Sequence, residues 1–477
     1  MNNSIHILDY TIIGVYLAGI FTLAFYSGKK SNKGDLVEEQ YLAGKSLTIP
    51  ESLFSIIATE VSALTFLGIP AFAFGKDYSF IQIYFGAVVG RLLIARVMLP
   101  AVYDKGITVY TVMAKFGDVN GQKAIAIFYT INKILAVGVR LFSGSILVAE
   151  FFNLNIYIAV GVICIITFFY TLIGGLKAVV RTDMVQMFLF IFGGLVAHYM
   201  IPEISQHSWS ELMSYAHAQD KTSFLSFSNP MPFIIGVFGG ILFDMATHGV
   251  DQDFVQRLTA NKSIRGAKIA IISSSFISIF VGLLFLSIGS LLWSHYQMVP
   301  TPDLPNDKIF AHFITLYFPI GIKGLMVAGV LAATMSTLDS TINALSSCLY
   351  NDIFHHRSHS KSLIENYYRR DTLIITFVLM LIAFIAAQSD GLLMFGLRIT
   401  SWTAGSLLAV FFGTTIFKFA RLTFQNVVSA YLFGVIAVFL NTFIFELNWN
   451  FNVYFGFTLG LLGMYLTEKL FSTKGPA

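Results

Sequence analysis

Apolar positions along this chain fall in long unbroken runs, not in the short alternating or one-sided patterns of water-facing strands and helices. A membrane-spanning helix needs about 20 mostly apolar residues. Candidate spans are 8–27, 51–74, 79–103, 122–150, 156–175, 184–201, 231–250, 267–294, 321–350, 372–388, 392–417, 425–445 and 450–471. The longest stretches between them, 28–50, 202–230, 295–320 and 351–371, are too short for a soluble domain. The pattern predicts an all-α polytopic membrane protein of about 13 transmembrane helices, with 1–477 forming a single domain. The first run reads as a spanning helix and not as a signal peptide, because Met1–Leu8 has no basic region and no cleavage site followed by a soluble domain comes after it.

Composition narrows the class. The chain is 56% hydrophobic and only 12% charged, where a soluble domain carries about 25% charge. That leaves too little charge to coat a water-facing surface, and excludes a soluble enzyme, a nucleic-acid binder and a disordered chain. The net charge of +4 implies no nucleic-acid partner, because the basic residues sit mostly in short loops. Cys164 and Cys348 lie inside apolar runs, so neither a disulfide framework nor a zinc site is expected. No HExxH or GxSxG motif occurs, and the His355, His356 and His359 group lies in a loop, so no enzyme activity is expected.

The basic residues also set orientation. With the N-terminus outside, the cytoplasmic segments gather Lys29, Lys30, Lys33, Lys45, Lys105, Lys115, Lys123, Lys177, Arg181, Arg257, Lys262, Arg265, Lys268, Arg357, Lys361, Arg369, Arg370, Lys418, Arg421, Lys469 and Lys474. The outer segments hold only Lys76, Lys221, Lys308 and Lys323. The expectation is a multi-pass protein of the plasma or inner membrane, N-terminus out and C-terminus in.

Charges inside a span are costly and mark a pathway or a partner. They are Glu60, Arg91, Arg96, Lys133, Arg140, Glu150, Asp244, His248, Asp339 and Arg398, with Asp183 at a helix entrance. Within 325–347, Ser336, Asp339, Ser340 and Asn343 recur at helical spacing as a polar stripe, with Thr337 beside them. Hydroxyls with a carboxylate supply the oxygen ligands that hard cations prefer; the same stripe could instead only hold helices together. Within 52–74, Thr59, Glu60, Ser62 and Thr65 precede Gly68 and Pro70. A helix interrupted there frees carbonyls for an ion or solute, and a continuous kinked helix is the alternative. The 231–250 span also looks breakable, at Gly236, Gly239 and Gly240. The layout suggests two five-helix repeats of opposite topology, 51–201 and 231–417, with 8–27 and 425–471 peripheral.

Four stretches, in order, are similar to the sodium:solute symporter family: Tyr41–Ser46, Tyr170–Gln186 with its Gly-Gly and Thr-Asp-x-x-Gln elements, Asp251–Arg257, and 401–418. The resemblance covers nearly the whole chain. It implies a LeuT-like five-plus-five inverted repeat, alternating access, and sodium as coupling ion with no other cofactor. The implied main sodium site takes the carbonyls of Ala58, Val61 and Ala333 and the hydroxyls of Ser336 and Thr337. The implied second site takes Asp183, Asp339 and Ser340, where Asp339 replaces an expected serine. The implied solute positions are Glu60, Ser62, Thr65, Gln82, Tyr84 and Arg140. Arg140 could bind a solute carboxylate or neutralise Glu60. The expected solute is a small polar molecule of the sugar, organic acid or amino acid class. A proton-coupled carrier, kept open by Asp183 and Asp339, and a transport-poor sensor on the same fold are the alternatives, although the tail after Phe471 has no room for a signalling domain.

Overall fold

The computed structural model describes residues 6–27, 35–173, 175–225, 233–356, 360–386 and 392–472. Lys29, Lys30, Lys33, Gly174, 231–232, Arg357, His359, 387–388 and Lys474, used in the expectations above, lie outside them. The described chain is helical, and we label its main helices α1 (Ile7–Ser27), α2 (Ile49–Glu60), α3 (Leu64–Gly75), α4 (Ile81–Val102), α5 (Val119–Phe152), α6 (Ile156–Thr171), α7 (Gly175–Ser205) and α8 (Phe233–Gly249). They continue with α9 (Gln252–Thr259), α10 (Ile264–His295), α11 (Asn306–Tyr317), α12 (Ile322–Ile353), α13 (Lys361–Ala386), α14 (Leu393–Ile416), α15 (Phe424–Phe445) and α16 (Phe451–Ser472).

Among the described residues, eight helices are long and apolar enough to cross a membrane, or ten when each of two bent pairs counts as one span. Thirteen spans are reached only if α6, α13 and α16 cross as well. Sequence-level caps fix where several helices begin. The Thr48 hydroxyl accepts from the Glu51 amide while Glu51 accepts from the Thr48 amide at 2.8 Å, a capping box that starts α2. Asp118 caps α5 and Ser263 caps α10 in the same way, each accepting from the backbone N–H three residues on.

Burial separates the centre from the periphery. In α12, 94% of the most apolar stretch is buried, against 22% in α1. A helix whose Ser, Thr and Asn side chains are enclosed on all sides must have them met by neighbours, so α12 is where the other helices converge.

Two features depart from expectation. Helix α7 begins at Gly175, so Asp183 sits in its third turn and not at an entrance. The apolar run starts late because Thr182, Asp183 and Gln186 are polar, yet all three are buried and the helix continues through them. The second departure is at Gly236, Gly239 and Gly240, which do not interrupt their helix; α8 runs unbroken to Gly249. These glycines allow close packing instead, Gly236 against the Gln82 side chain, Gly239 against that of Asn450 and Gly240 against a backbone. A Cβ on Gly240 would strike the Ile83 carbonyl, and one on Gly86 of α4 would strike the Val237 carbonyl.

The breaks themselves lie between α2 and α3, bent by 59°, and between α8 and α9, bent by 65°. They begin the two halves of the chain. The first occurs at Val61, whose backbone is extended (φ −76°, ψ 123°), ahead of Gly68 and Pro70.

Candidate functional site

At the first break the helical ladder loses its partners. The Ser62 amide, which would have bonded the Ala58 carbonyl in a continuous helix, turns to the Thr65 hydroxyl at 3.3 Å. The Ala58 carbonyl is then met by the Ser336 hydroxyl of α12 at 3.1 Å. Ala58, Val61, Ala333, Ser336 and Thr337 are all buried. The Thr337 hydroxyl donates to the Ala333 carbonyl at 3.0 Å within α12. The structure therefore sets a freed carbonyl of α2 against a hydroxyl of α12, which is the oxygen chemistry a hard cation uses.

One turn further on, Asp183 of α7 is fully engaged. Its carboxylate accepts from Ser55 at 2.5 Å, from Ser336, and from the Arg257 guanidinium at 3.2 Å. Arg257 also donates to the Ser340 hydroxyl, to Ser55 at 2.7 Å and to Asp253 at 2.9 Å. A guanidinium thus stands between Asp183 and Ser340. Asp339 is fully buried, and among the described residues neither Arg257 nor any other cationic side chain reaches its carboxylate; its one neighbour in this set is Ser340, next to it in the chain.

The second break is ringed by charge. Asp251 caps α9 and accepts from the Tyr129 hydroxyl at 2.6 Å and from Lys133 at 2.8 Å. Lys133 also pairs with Asp253 at 3.0 Å, and Asp253 pairs with Arg257. Lys133 is thus an interhelical pair and does not snorkel. A separate cluster joins α2, α4, α8 and α10. Arg91 pairs with Glu60 at 2.8 Å and with Asp244 at 3.2 Å, and donates to Ser274 at 2.6 Å. His248 sits 3.1 Å from Asp244, and the Ser278 hydroxyl donates to Glu60 at 2.7 Å.

Glu60 is accordingly neutralised by Arg91. Arg140 has no ion pair or hydrogen bond among the described residues, although Glu60, Asp251 and Asp253 are within its electrostatic reach. It lines a narrow cavity of about 40 Å³ with Lys133, Asp251, Phe254, Thr247 and Thr400, between α5, the second break and α14. A water occupies roughly 10–15 Å³ on this measure, so the cavity has room for about three. Glu60, Ser62, Thr65, Gln82 and Tyr84 are not among its lining residues. Gln82 instead donates to the Phe224 carbonyl at 2.7 Å, and Tyr84 packs on Phe80 and against Gly282.

Sequence reasoning used Asp251–Arg257 only as a stretch of resemblance and counted Arg257 among the loop cations, whereas the structure buries Arg257 completely. The available signal was local: Asp253 and Arg257 are four apart, one above the other on α9, an ion-pair spacing on any helix. Nothing local foretold Asp183 as the distant partner, nor the pairing of Arg91 with Glu60 and Asp244.

Compared with known proteins, the chain matches the model of the sodium:solute symporter family over residues 40–434. It is 26% identical to the sodium/sialic acid symporter SiaT of Proteus mirabilis, over 77% of this chain and 75% of that one. It is 28% identical to sodium-coupled monocarboxylate transporter 1 of Mus musculus, over 84% and 66%. It is 24% identical to a sodium/glucose cotransporter of Vibrio parahaemolyticus, over 74% and 70%. Among solved structures, the substrate-bound outward-open state of a Na+-coupled sialic acid symporter matches with a TM-score of 0.87 at 23% identity, covering 98% of both chains. A closed nucleobase-cation-symport-1 family transporter matches with a TM-score of 0.58 at 14% identity, covering 92% and 96%. These likenesses carry the fold, which is LeuT-like.

Proposed function

This chain belongs to the sodium:solute symporter family, and from that premise we propose that it carries a small carboxylate-bearing solute across the membrane together with sodium. The observation that carries the choice of solute is Arg140, a guanidinium without a partner among the described residues, on the wall of a cavity beside the second helix break. A planar guanidinium suits two-point recognition of a carboxylate. The relatives named for sialic acid and for monocarboxylates handle solutes of that kind, and the relative named for glucose does not.

In this reading one sodium lies between α2 and α12, held by the carbonyls of Ala58, Val61 and Ala333 and the hydroxyls of Ser336 and Thr337. The Ser336 hydroxyl releases the Ala58 carbonyl when the ion arrives. A second cation lies beside the same stretch of α12. Arg140 takes the solute carboxylate, and the cavity widens as the halves rock. Glu60, Ser62 and Thr65 at the first break, which do not line the cavity as it stands, become its opposite wall once it widens, with Gln82 and Tyr84 of α4 farther from the carboxylate. The two moving repeats are 51–201 and 231–417, with thirteen spans, the N-terminus outside and the C-terminus in the cytoplasm. Sodium drives the cycle only through its different affinity for the outward and inward states.

The test is uptake by the purified protein in liposomes, with N-acetylneuraminate, a monocarboxylate and glucose supplied under an inward sodium gradient or an equal potassium gradient. We expect at least one carboxylate solute to accumulate with sodium alone, and that accumulation to be lost in Arg140→Ala. Glucose accumulation unchanged by Arg140→Ala would sink the solute assignment. Accumulation driven by a proton gradient and indifferent to sodium would sink the coupling assignment.

A further inference from the structure

The two buried carboxylates near the α12 stripe have opposite surroundings. Asp183 accepts from Ser55, Ser336 and Arg257. The Ser340 hydroxyl is engaged by Arg257 and lies 3.2 Å from that of Thr59. The space between Asp183 and Ser340 therefore already holds a positive charge, supplied by the protein. A sodium placed there would have to displace a guanidinium that is itself fully buried and tied to Asp253.

Asp339 lies on the neighbouring flank of α12. Met335, one turn earlier on that flank, receives a contact from the Tyr16 hydroxyl of α1 at 3.9 Å. Ser346, two turns later, lies 3.3 Å from the Tyr41 hydroxyl. Asp339 is within electrostatic range of the hydroxyls of both Tyr16 and Tyr368, the latter on α13. Asn343 is one turn from Asp339 on α12, and the Tyr368 hydroxyl faces it. Gln186 of α7 donates to the Tyr16 hydroxyl at 3.2 Å.

What unites this flank is a surplus of oxygen. Among the described residues, both carboxylate oxygens of Asp339, the amide oxygen of Asn343 and the amide oxygen of Gln186 are buried with no partner beyond Asp339's own chain neighbour Ser340, and the Asn343 amide nitrogen is a buried donor without a partner as well. Buried polar atoms are nearly always satisfied, and an uncompensated carboxylate inside a membrane protein is expensive. A buried carboxylate flanked by neutral oxygens, with no cationic side chain acting on it among the described residues, is what a hard cation satisfies.

We propose that the second coupling cation is a sodium held by Asp339 and Asn343, on the flank of α12 that faces α1, α7 and α13, and not between Asp183 and Ser340. The Tyr16 and Tyr368 hydroxyls and the Gln186 amide oxygen complete its surroundings. Arg257 acts as a fixed substitute for a cation at Asp183. This rests on the sodium-coupled reading above and places its second ion.

The test counts radioactive sodium bound per chain by the purified full-length protein. It compares the parent with Asp339→Asn, with Asn343→Ala, and with Ser336→Ala/Thr337→Ala. Asp339→Asn and Asn343→Ala are each expected to bind one sodium fewer than the parent. Combining Asp339→Asn with the Ser336/Thr337 pair should abolish binding. A second readout guards against simple misfolding: Asp339→Asn removes an unneutralised charge, so in sodium-free medium its melting temperature should equal or exceed the parent's, with a smaller upward shift when sodium is added. Asp339→Asn binding as much sodium as the parent, while the Ser336/Thr337 pair loses its ion, would overturn this proposal and leave sodium coupling intact, with Asp339 then carrying its own proton. No sodium binding in the parent would overturn both.

Discussion

The two helix breaks satisfy what they expose in different ways. Between α2 and α3 the freed group is a neutral carbonyl, Ala58, and its partner is a hydroxyl at 3.1 Å. Between α8 and α9 every exposed charge has a fixed opposite: Asp251 is gripped by Tyr129 and Lys133, and Asp253 lies between Lys133 and Arg257. A neutral hydrogen bond is worth about 1 kcal/mol net, and the Ser336 hydroxyl, with one proton to share between Ala58 and Asp183, can leave the carbonyl to a cation. A buried guanidinium cannot leave a carboxylate without stranding it. The first break is suited to exchanging partners and the second to keeping them.

The strongest way to break that contrast is Arg257→Ala, which strands Asp183 and leaves Asp253 with Lys133 alone. We expect a loss of about 3–5 kcal/mol, read as a lowered melting temperature of the detergent-solubilised protein, with Arg257→Lys restoring little because its single ammonium cannot serve four partners. An unchanged melting temperature would show that the second break is no clamp. Between the breaks, Arg140→Ala should weaken half-saturation for a carboxylate solute by about 10–100-fold, the equivalent of one charge-assisted hydrogen bond. The concentration dependence of sodium-driven uptake measures it, and an unaltered value would remove Arg140 from the solute site. Ser336→Ala/Thr337→Ala should raise the half-saturating sodium about tenfold, while costing about 2–3 kcal/mol in sodium-free stability, because Ser336 also donates to Asp183. A sodium-free loss as large as that of Arg257→Ala would erase the distinction between the breaks. The smallest effect is expected at Thr48→Ala, at the start of α2 and away from its break. Losing that cap should cost about 1 kcal/mol and leave sodium affinity alone; a shifted affinity would mean that the whole of α2, and not its break, sets the ion site.

Much of the architecture was legible because membrane helices announce themselves by apolar length, a property each segment carries alone. The stripe of Ser336, Asp339, Ser340 and Asn343 was legible for the same reason, since residues three and four apart share a helix face. The position of the breaks was less so. Gly236, Gly239 and Gly240 suggested flexibility, but small residues serve close packing equally well, and only the neighbouring Ile83 and Gly86 decide between the two. The start of α7 was misplaced because a helix with buried partners for Thr182 and Asp183 need not be apolar to continue. Ion pairing was least legible. Arg91 finds Asp244 and Arg257 finds Asp183 across stretches with no shared periodicity, and only the folded chain brings them together.

The Arg91 cluster has a consequence for how the protein is made. Glu60 emerges from the ribosome before Arg91, and Asp244 long after it. An arginine at the centre of a lone inserted helix costs about 2.5–3.5 kcal/mol. With Glu60 2.8 Å away in the finished fold, α2 and α4 can neutralise that charge as a pair while the rest of the chain is still being translated. Asp244 then arrives on α8 to a partner already in place, and the seam where Gly86 meets Val237 can close around it. For this cluster the order of residues along the chain thus doubles as an assembly schedule, in which the acid comes first and Arg91 does not wait alone in lipid.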